Sequence, residues 1–166
     1  VSRGLGDVYK RQGMVGEHRK RGIPELLQRN VRKERLINMK AFVTGVAGQL
    51  GHDVVNELTK RGHQAVGSDI APTLESCASY VPLDITDAAA VEQTIMQVQP
   101  DAIVHCAAWT AVDAAEDEEN QAKVRAINVD GTKHIADAAK KADAKMVYIS
   151  TDYVFDGQGE TPWEPD

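Results

Sequence analysis

Cysteine is scarce in this 166-residue chain: there are two, Cys77 and Cys106. They show no metal-ligand spacing and are too few for a disulfide framework, so both read as buried thiols of a reducing compartment. No apolar run is long enough to span a bilayer. The basic N-terminus is not followed by the continuous apolar stretch of a secretory signal. Internal repeats and low-complexity segments are absent as well, which excludes a solenoid. These absences leave a soluble cytoplasmic protein, and the length suffices for one domain with its own core.

Charge is distributed unevenly. Residues 1–38 carry ten Lys/Arg against four Asp/Glu, and residues 39–166 carry nine against twenty-one. A basic arm can mean contact with nucleic acid. The stretch from Pro24 to Arg35, a candidate short helix, has no aromatic residues interleaved for stacking on bases, so nucleic acid is not expected as a partner. A duller origin fits better. Residues 2–12, Ser-Arg-Gly-Leu-Gly-Asp-Val-Tyr-Lys-Arg-Gln, resemble a translated transposase sequencing adapter. Residues 13–38 then read as an upstream region carried in frame up to Met39. Residues 1–38 are accordingly expected to be a non-native or disordered leader, outside the fold.

From Met39 the pattern alternates strand and helix. Ala41-Phe42-Val43 is a short apolar run. Leu50, Val54, Val55 and Leu58 fall on one helical face, with Lys60, Arg61 and Gly62 as stop signals. Gln64 to Asp69 forms a second strand, and Val81 and Leu83 mark a third. Thr86 is the expected N-cap of a helix carrying Val91, Ile95 and Val98, ended before Pro100. Ala102 to Ala107 reads as a fourth strand. Asn120 to Ala142 reads as one long helix buried through Val124, Ile127, Ile135 and Ala139, and Lys145 to Ser150 as a fifth strand. Apolar strands separated by amphipathic helices predict an α/β fold, a doubly wound parallel sheet of the Rossmann-like kind with the first strand central.

The segment Thr44-Gly45-Val46-Ala47-Gly48-Gln49-Leu50-Gly51 leaves the first strand and opens the first helix. Gly45 permits the sharp turn, Gly48 lets the backbone approach a pyrophosphate, and Gly51 lets the helix pack close to the sheet. Free N–H groups and the positive end of the helix dipole face the anion. Asp69 ends the second strand eighteen residues after Gly51. A carboxylate there can accept hydrogen bonds from an adenosine ribose and repels the extra phosphate of NADP. Ile70-Ala71-Pro72 offers no arginine to hold that phosphate. The cofactor is therefore NADH or NADPH, with NADH favoured; the competing structural role of Asp69 is a strand-end cap.

The Gly-x-x-Gly-x-x-Gly spacing resembles the extended short-chain dehydrogenase/reductase family. Pro82-Leu83-Asp84-Ile85-Thr86-Asp87 resembles its adenine-contacting segment. Cys106-Ala107-Ala108-Trp109-Thr110-Ala111-Val112-Asp113-Ala114-Ala115-Glu116 and Ser150-Thr151-Asp152-Tyr153-Val154-Phe155 resemble two signatures of the dTDP-4-dehydrorhamnose reductase branch, and Thr161-Pro162-Trp163 fits it too. That resemblance covers residues 39–166. It implies a reductase converting the C4 ketone of dTDP-4-dehydro-L-rhamnose to dTDP-L-rhamnose. It assigns Gly48, Gln49 and Leu50 to the pyrophosphate, and Asp69, Asp84 and Ile85 to the adenosine end. Ala107, Ala108, Trp109 and Thr110 line the nicotinamide-ribose side, Thr151 is the catalytic hydroxyl, and Val112, Asp152 and Tyr153 meet the substrate. The physical reading is compatible, because ligands of open α/β sheets sit beyond the carboxyl ends of the strands. A threonine hydroxyl there can donate to a carbonyl oxygen as it gains negative charge.

The family's proton-donating Tyr-x-x-x-Lys is not found after Thr151; the residue four beyond Tyr153 is Gly157. The expectation is therefore a truncated cofactor-binding part lacking the C-terminal substrate domain, able to hold a cofactor but inactive alone. A homodimer is the assembly expected of the parent. Two other readings stay open: an epimerase or dehydratase of the same superfamily, and a regulatory subunit like that of methionine adenosyltransferase. His105 reads as a satisfied core histidine, and His52, His63 and His134 as surface. Glu116 to Glu119 reads as a helix N-terminal acidic run rather than a metal site. Asn128 resembles a helical asparagine common in the superfamily, and a solvated helix position explains it nearly as well.

Overall fold

The computed structural model describes residues 38–151 and 154–158. The expectations for the leader, for Asp152 and Tyr153 and for Thr161-Pro162-Trp163 lie outside them. Strands β1 (Lys40–Thr44), β2 (Gln64–Asp69), β3 (Tyr80–Pro82), β4 (Ala102–His105) and β5 (Lys145–Tyr148) form one parallel sheet in the order β3-β2-β1-β4-β5. The central position of β1 follows from its composition. Phe42 and Val43 are both fully buried, and they point to opposite faces of the sheet. Only a strand covered on both sides can bury every residue of an apolar run.

Each face has its own core. On one side Phe42, Leu83, Ile85 and Ile103 meet Val91 and Ile95 of helix α2 (Ala88–Val98) and Ile135, Ala138 and Ala139 of helix α5 (Thr132–Lys141). On the other, Val43, Val46 and Cys77 meet Val55 of helix α1 (Gln49–Lys60). Cys106 packs against this second cluster, and both cysteines are free thiols. Among the described residues no helix is long and apolar enough to cross a membrane.

Several local expectations are corrected. Leu50 does not share the buried face of α1 but is 49% exposed, because burial on that helix begins at Gly51. The N-cap of α2 is Asp87, whose carboxylate accepts from the Ala89 and Ala90 amides at 3.0 Å. Thr86 is occupied elsewhere: its amide and hydroxyl both donate to Asp84 Oδ1. Strand β4 stops at His105, because the next two amides, Cys106 and Ala107, donate to the Thr44 hydroxyl rather than continue the ladder. Strand β5 ends at Tyr148.

The long helix is three pieces preceded by a short turn, α3 (Val112–Ala115): α4 (Glu118–Arg125), a π-helical segment (Ala126–Gly131), then α5. Glu118 and Glu119 occupy the first turn of α4, where the dipole favours them. His52, His63 and His134 are half-buried rather than on the surface. His134 donates from Nδ1 to the Ile85 carbonyl at 3.0 Å.

Candidate functional site

The glycine turn connects β1 to α1, and its glycines do different work. Gly45 has φ +73°, and a Cβ there would sit 2.6 Å from the Ala107 nitrogen. A Cβ on Gly51 would lie 2.3 Å from the Gly45 carbonyl oxygen and 2.9 Å from Val46 Cα. Gly51 thus serves contact between the helix and the loop, not between the helix and the sheet as its position suggested. Gly48 has an ordinary extended backbone, and the nearest atom to its would-be Cβ is the Gly45 carbonyl oxygen at 3.3 Å. Gly48 is also the N-cap of α1, with no side-chain cap and no acidic residue in the first turn. An exposed, uncapped N-terminus of a twelve-residue helix presents amide donors and positive potential together.

Asp69 stands beside this turn. Its Oδ2 accepts from the Ala47 amide at 3.0 Å and its Oδ1 from the Ile70 amide at 2.8 Å. Its carbonyl accepts from the Leu83 amide at 2.8 Å and from the Tyr80 hydroxyl at 3.0 Å. Tyr80 also contacts the Ala71 carbonyl. The strand-end cap and the outward carboxylate therefore coexist in one residue, since a carboxylate has lone pairs for about four donors. Asp84 is exposed and engaged by Thr86. The Ile85 side chain is buried in the core, so only its backbone is available to a ligand.

The segment after β4 is fixed from two directions. From below, Thr44 Oγ1 accepts from the Cys106 and Ala107 amides at 3.2 and 3.1 Å. From the helix side, Asn128 accepts from the Trp109 amide at 2.8 Å and donates to its carbonyl at 3.1 Å. Asn128 is thus no solvated helix residue. It lies inside the π-helical segment, a distortion often found where a helix serves a site. Ala107 and Trp109 are half-buried, Ala108 and Thr110 exposed, and Val112 is 51% exposed. Thr151, three residues beyond β5, is exposed.

The structure therefore joins Gly45 to Ala107 by close approach and Ala47 to Asp69 by a hydrogen bond, at the carboxyl ends of β1, β2 and β4. Asp84 and Thr151 lie in the loops beyond β3 and β5, and Val112 opens α3 beyond β4. Thr44 and Asn128 hold the site without having been placed in it by the sequence. Among the described residues no group of His, Cys, Asp and Glu could hold a metal ion.

His105 is fully buried and bonded on both ring nitrogens, to Thr44 Oγ1 at 2.7 Å and Thr132 Oγ1 at 3.1 Å. Burial lowers its pKa to about 4. The folded value lies below the unfolded one of about 6.5, so protonation favours unfolding. This group costs nothing above pH 7, and stability falls as the pH drops from 6.5 towards 4. Between pH 7 and 5 the loss from His105 is expected to reach about 2 kcal/mol. Urea unfolding across that range should show the slope, and a His105→Phe variant should lack it. Equal slopes in both proteins would refute the assignment.

Comparison with known proteins identifies the family of the chain. A family model described as RmlD substrate binding domain matches residues 39–166. The dTDP-4-dehydrorhamnose reductase of Streptomyces griseus is 39% identical over 125 residues, covering 75% of this chain and 37% of that protein. The crystal structure of dTDP-4-dehydrorhamnose reductase from Bacillus anthracis in complex with NADP is 36% identical, covers 74% of this chain and 39% of its own, and superposes with a TM-score of 0.62. The Bordetella bronchiseptica enzyme WbmH in complex with NAD+ is 32% identical, covers 64% and 36% respectively, and gives 0.55. The chain spans about two fifths of the length of the curated relatives it matches. On a match over the whole described fold, the chain belongs to the RmlD substrate binding domain family and resembles the dTDP-4-dehydrorhamnose reductases within it.

Proposed function

We propose that residues 39–166 are the nicotinamide-cofactor-binding part of an oxidoreductase that reduces the C4 ketone of dTDP-4-dehydro-L-rhamnose, and that residues 1–38 contribute nothing to it. The observation that carries the reading is the uncapped N-terminus of α1 at Gly48, open to an anion and flanked by the Asp69 carboxylate. These residues fit a dinucleotide. The amides of Gln49, Leu50 and Gly51 are offered to a pyrophosphate, which Gly48 lets approach while its own amide is held by the Gly45 carbonyl at 3.1 Å; Asp69, Asp84 and the Ile85 backbone face the adenosine, and Ala107 to Thr110 flank the nicotinamide ribose. When bound, the reduced nicotinamide supplies a hydride. Thr151 is assigned to the substrate, together with Val112, Asp152 and Tyr153. The Thr151 hydroxyl donates to the ketone oxygen, where negative charge collects.

NADH is the favoured cofactor, because Asp69 places a negative charge at the ribose. Calorimetric titration of the full chain is expected to give tighter binding of NADH than of NADPH. Asp69→Ala should weaken NADH binding most and narrow the gap. It should also weaken NADPH somewhat, since the tie to Ala47 is lost with the carboxylate. A preference of the unaltered chain for NADPH would remove Asp69 as the discriminating residue, and binding of neither would overturn the proposed function.

A further inference from the structure

The strand register sets Val81, Ser68, Thr44, His105 and Tyr148 in one row across the sheet, one residue from each strand. The row lies at the carboxyl ends, directly beneath the candidate site. Ser68, Thr44 and His105 are polar and each is only 1% exposed. Being adjacent does not by itself make these groups bond: the Ser68 hydroxyl has no partner among the described atoms. Thr44 and His105 do, and their bonds can be counted.

A threonine hydroxyl has one proton and two lone pairs. Thr44 Oγ1 accepts from two amides, Cys106 and Ala107. Its proton must then go to the remaining neighbour, His105 Nδ1, 2.7 Å away. That nitrogen is therefore the bare one, and the proton of the neutral ring sits on Nε2, which donates to Thr132 Oγ1 at 3.1 Å. The ring stacks beside Tyr148, with 5.8 Å between centroids and 24° between the planes. Thr132 begins α5, immediately after the π-helical segment that carries Asn128.

We propose that Thr44, His105 and Thr132 form a hydrogen-bond relay of fixed direction that sets the turn after β4. In that relay Thr44 and His105 are positioning residues for the nicotinamide-ribose side of the site. The argument for position is geometric. Turning the Thr44 hydroxyl away from His105 would point its proton at an amide and break the acceptor contact that ends β4. The backbone of Ala107, against which Gly45 is packed, would then be free to shift. The proposal rests on the cofactor reading only for its last step, so its test has parts that do not involve a cofactor.

Three measurements on the full chain decide it. The ¹⁵N spectrum of the imidazoles should show His105 protonated on Nε2 and bare on Nδ1 at neutral pH; a proton on Nδ1 overturns the relay. In Thr44→Val, hydrogen exchange at the Cys106 and Ala107 amides should quicken at least tenfold while the Phe42 amide keeps its rate. Thr44→Ser should restore slow exchange. Unchanged exchange in Thr44→Val, or an equal rise at Phe42, overturns the positioning role. NADH binding should weaken about tenfold in Thr44→Val and recover in Thr44→Ser. Wild-type affinity in Thr44→Val also overturns that role. If the unaltered chain binds neither NADH nor NADPH, the cofactor reading has failed, and the exchange rates and the tautomer still decide the relay. Should Thr44→Val not fold, the tautomer of the unaltered chain and exchange in Thr132→Val, where the same two amides should quicken, take its place.

Discussion

Gly51→Ala is expected to cost the domain about 3 kcal/mol or more. The added methyl would lie 2.3 Å from the Gly45 carbonyl oxygen, 2.7 Å from its carbon and 2.9 Å from Val46 Cα. All three are backbone atoms, so no side-chain rotation relieves the overlap. The start of α1 would have to move off the turn, and the buried contacts of Val55 would loosen with it. Gly45→Ala should be comparably severe for two reasons that add: φ is +73°, and the methyl would meet the backbone of Cys106 and Ala107. Urea unfolding checks both. A loss below about 1 kcal/mol in Gly51→Ala would mean that the turn is looser than its contacts indicate.

Gly48→Asp should do the reverse. The backbone of Gly48 is extended, and its added Cβ would meet one atom, the Gly45 carbonyl oxygen at 3.3 Å, so a side chain fits once that carbonyl gives by a few tenths of an ångström. A carboxylate at this N-cap can accept from the first amides of α1 and face its dipole. The expected gain in stability is a few tenths to about 1 kcal/mol. The same carboxylate would occupy the place proposed for a pyrophosphate and repel it. Juxtaposed like charges cost several kcal/mol, so NADH affinity should fall a hundredfold or more. The opposite signs make the test sharp: thermal unfolding should move up while calorimetric affinity collapses. Retained affinity would place the dinucleotide elsewhere. A fall in both would show that Gly48 is needed for packing after all.

The features legible in the sequence are those that local chemistry dictates. Phe42-Val43 needs a strand covered on both faces, and glycines at positions 45, 48 and 51 need a turn between that strand and a helix. The β2 boundaries matched from Gln64 to Asp69. What stayed hidden depends on distant partners. Nothing near Thr86 and Asp87 says which one caps α2; the choice follows from Asp84 claiming the threonine. Nothing near Thr44 or His105 distinguishes them from packing residues until the register sets them side by side. The hydroxyl in front of a glycine turn and the histidine before a pair of alanines were the available signals, and they acquire meaning only as a pair. Asn128 was visible as a residue type but not as a contact, because a regular helix through Asn120 to Ala142 would not have carried the π-helical segment in which it sits.

That π-helical segment restricts which insertions and deletions the chain can accept. Upstream, Asn128 must face Trp109; downstream, Ile135, Ala138 and Ala139 must face the sheet. One residue on an α-helix turns the side-chain direction by about 100°, and a π-turn amounts to one residue added within that spiral. Removing a single residue between Ala126 and Gly131 would restore an unbroken α-helix, yet it would rotate one of these two faces away from its partner. Such a loss is therefore costly even at Val129, which is 51% exposed and buries little itself. The length of this helix is set by the angle between two sets of contacts, and what such a count fixes is the number of residues rather than their identity.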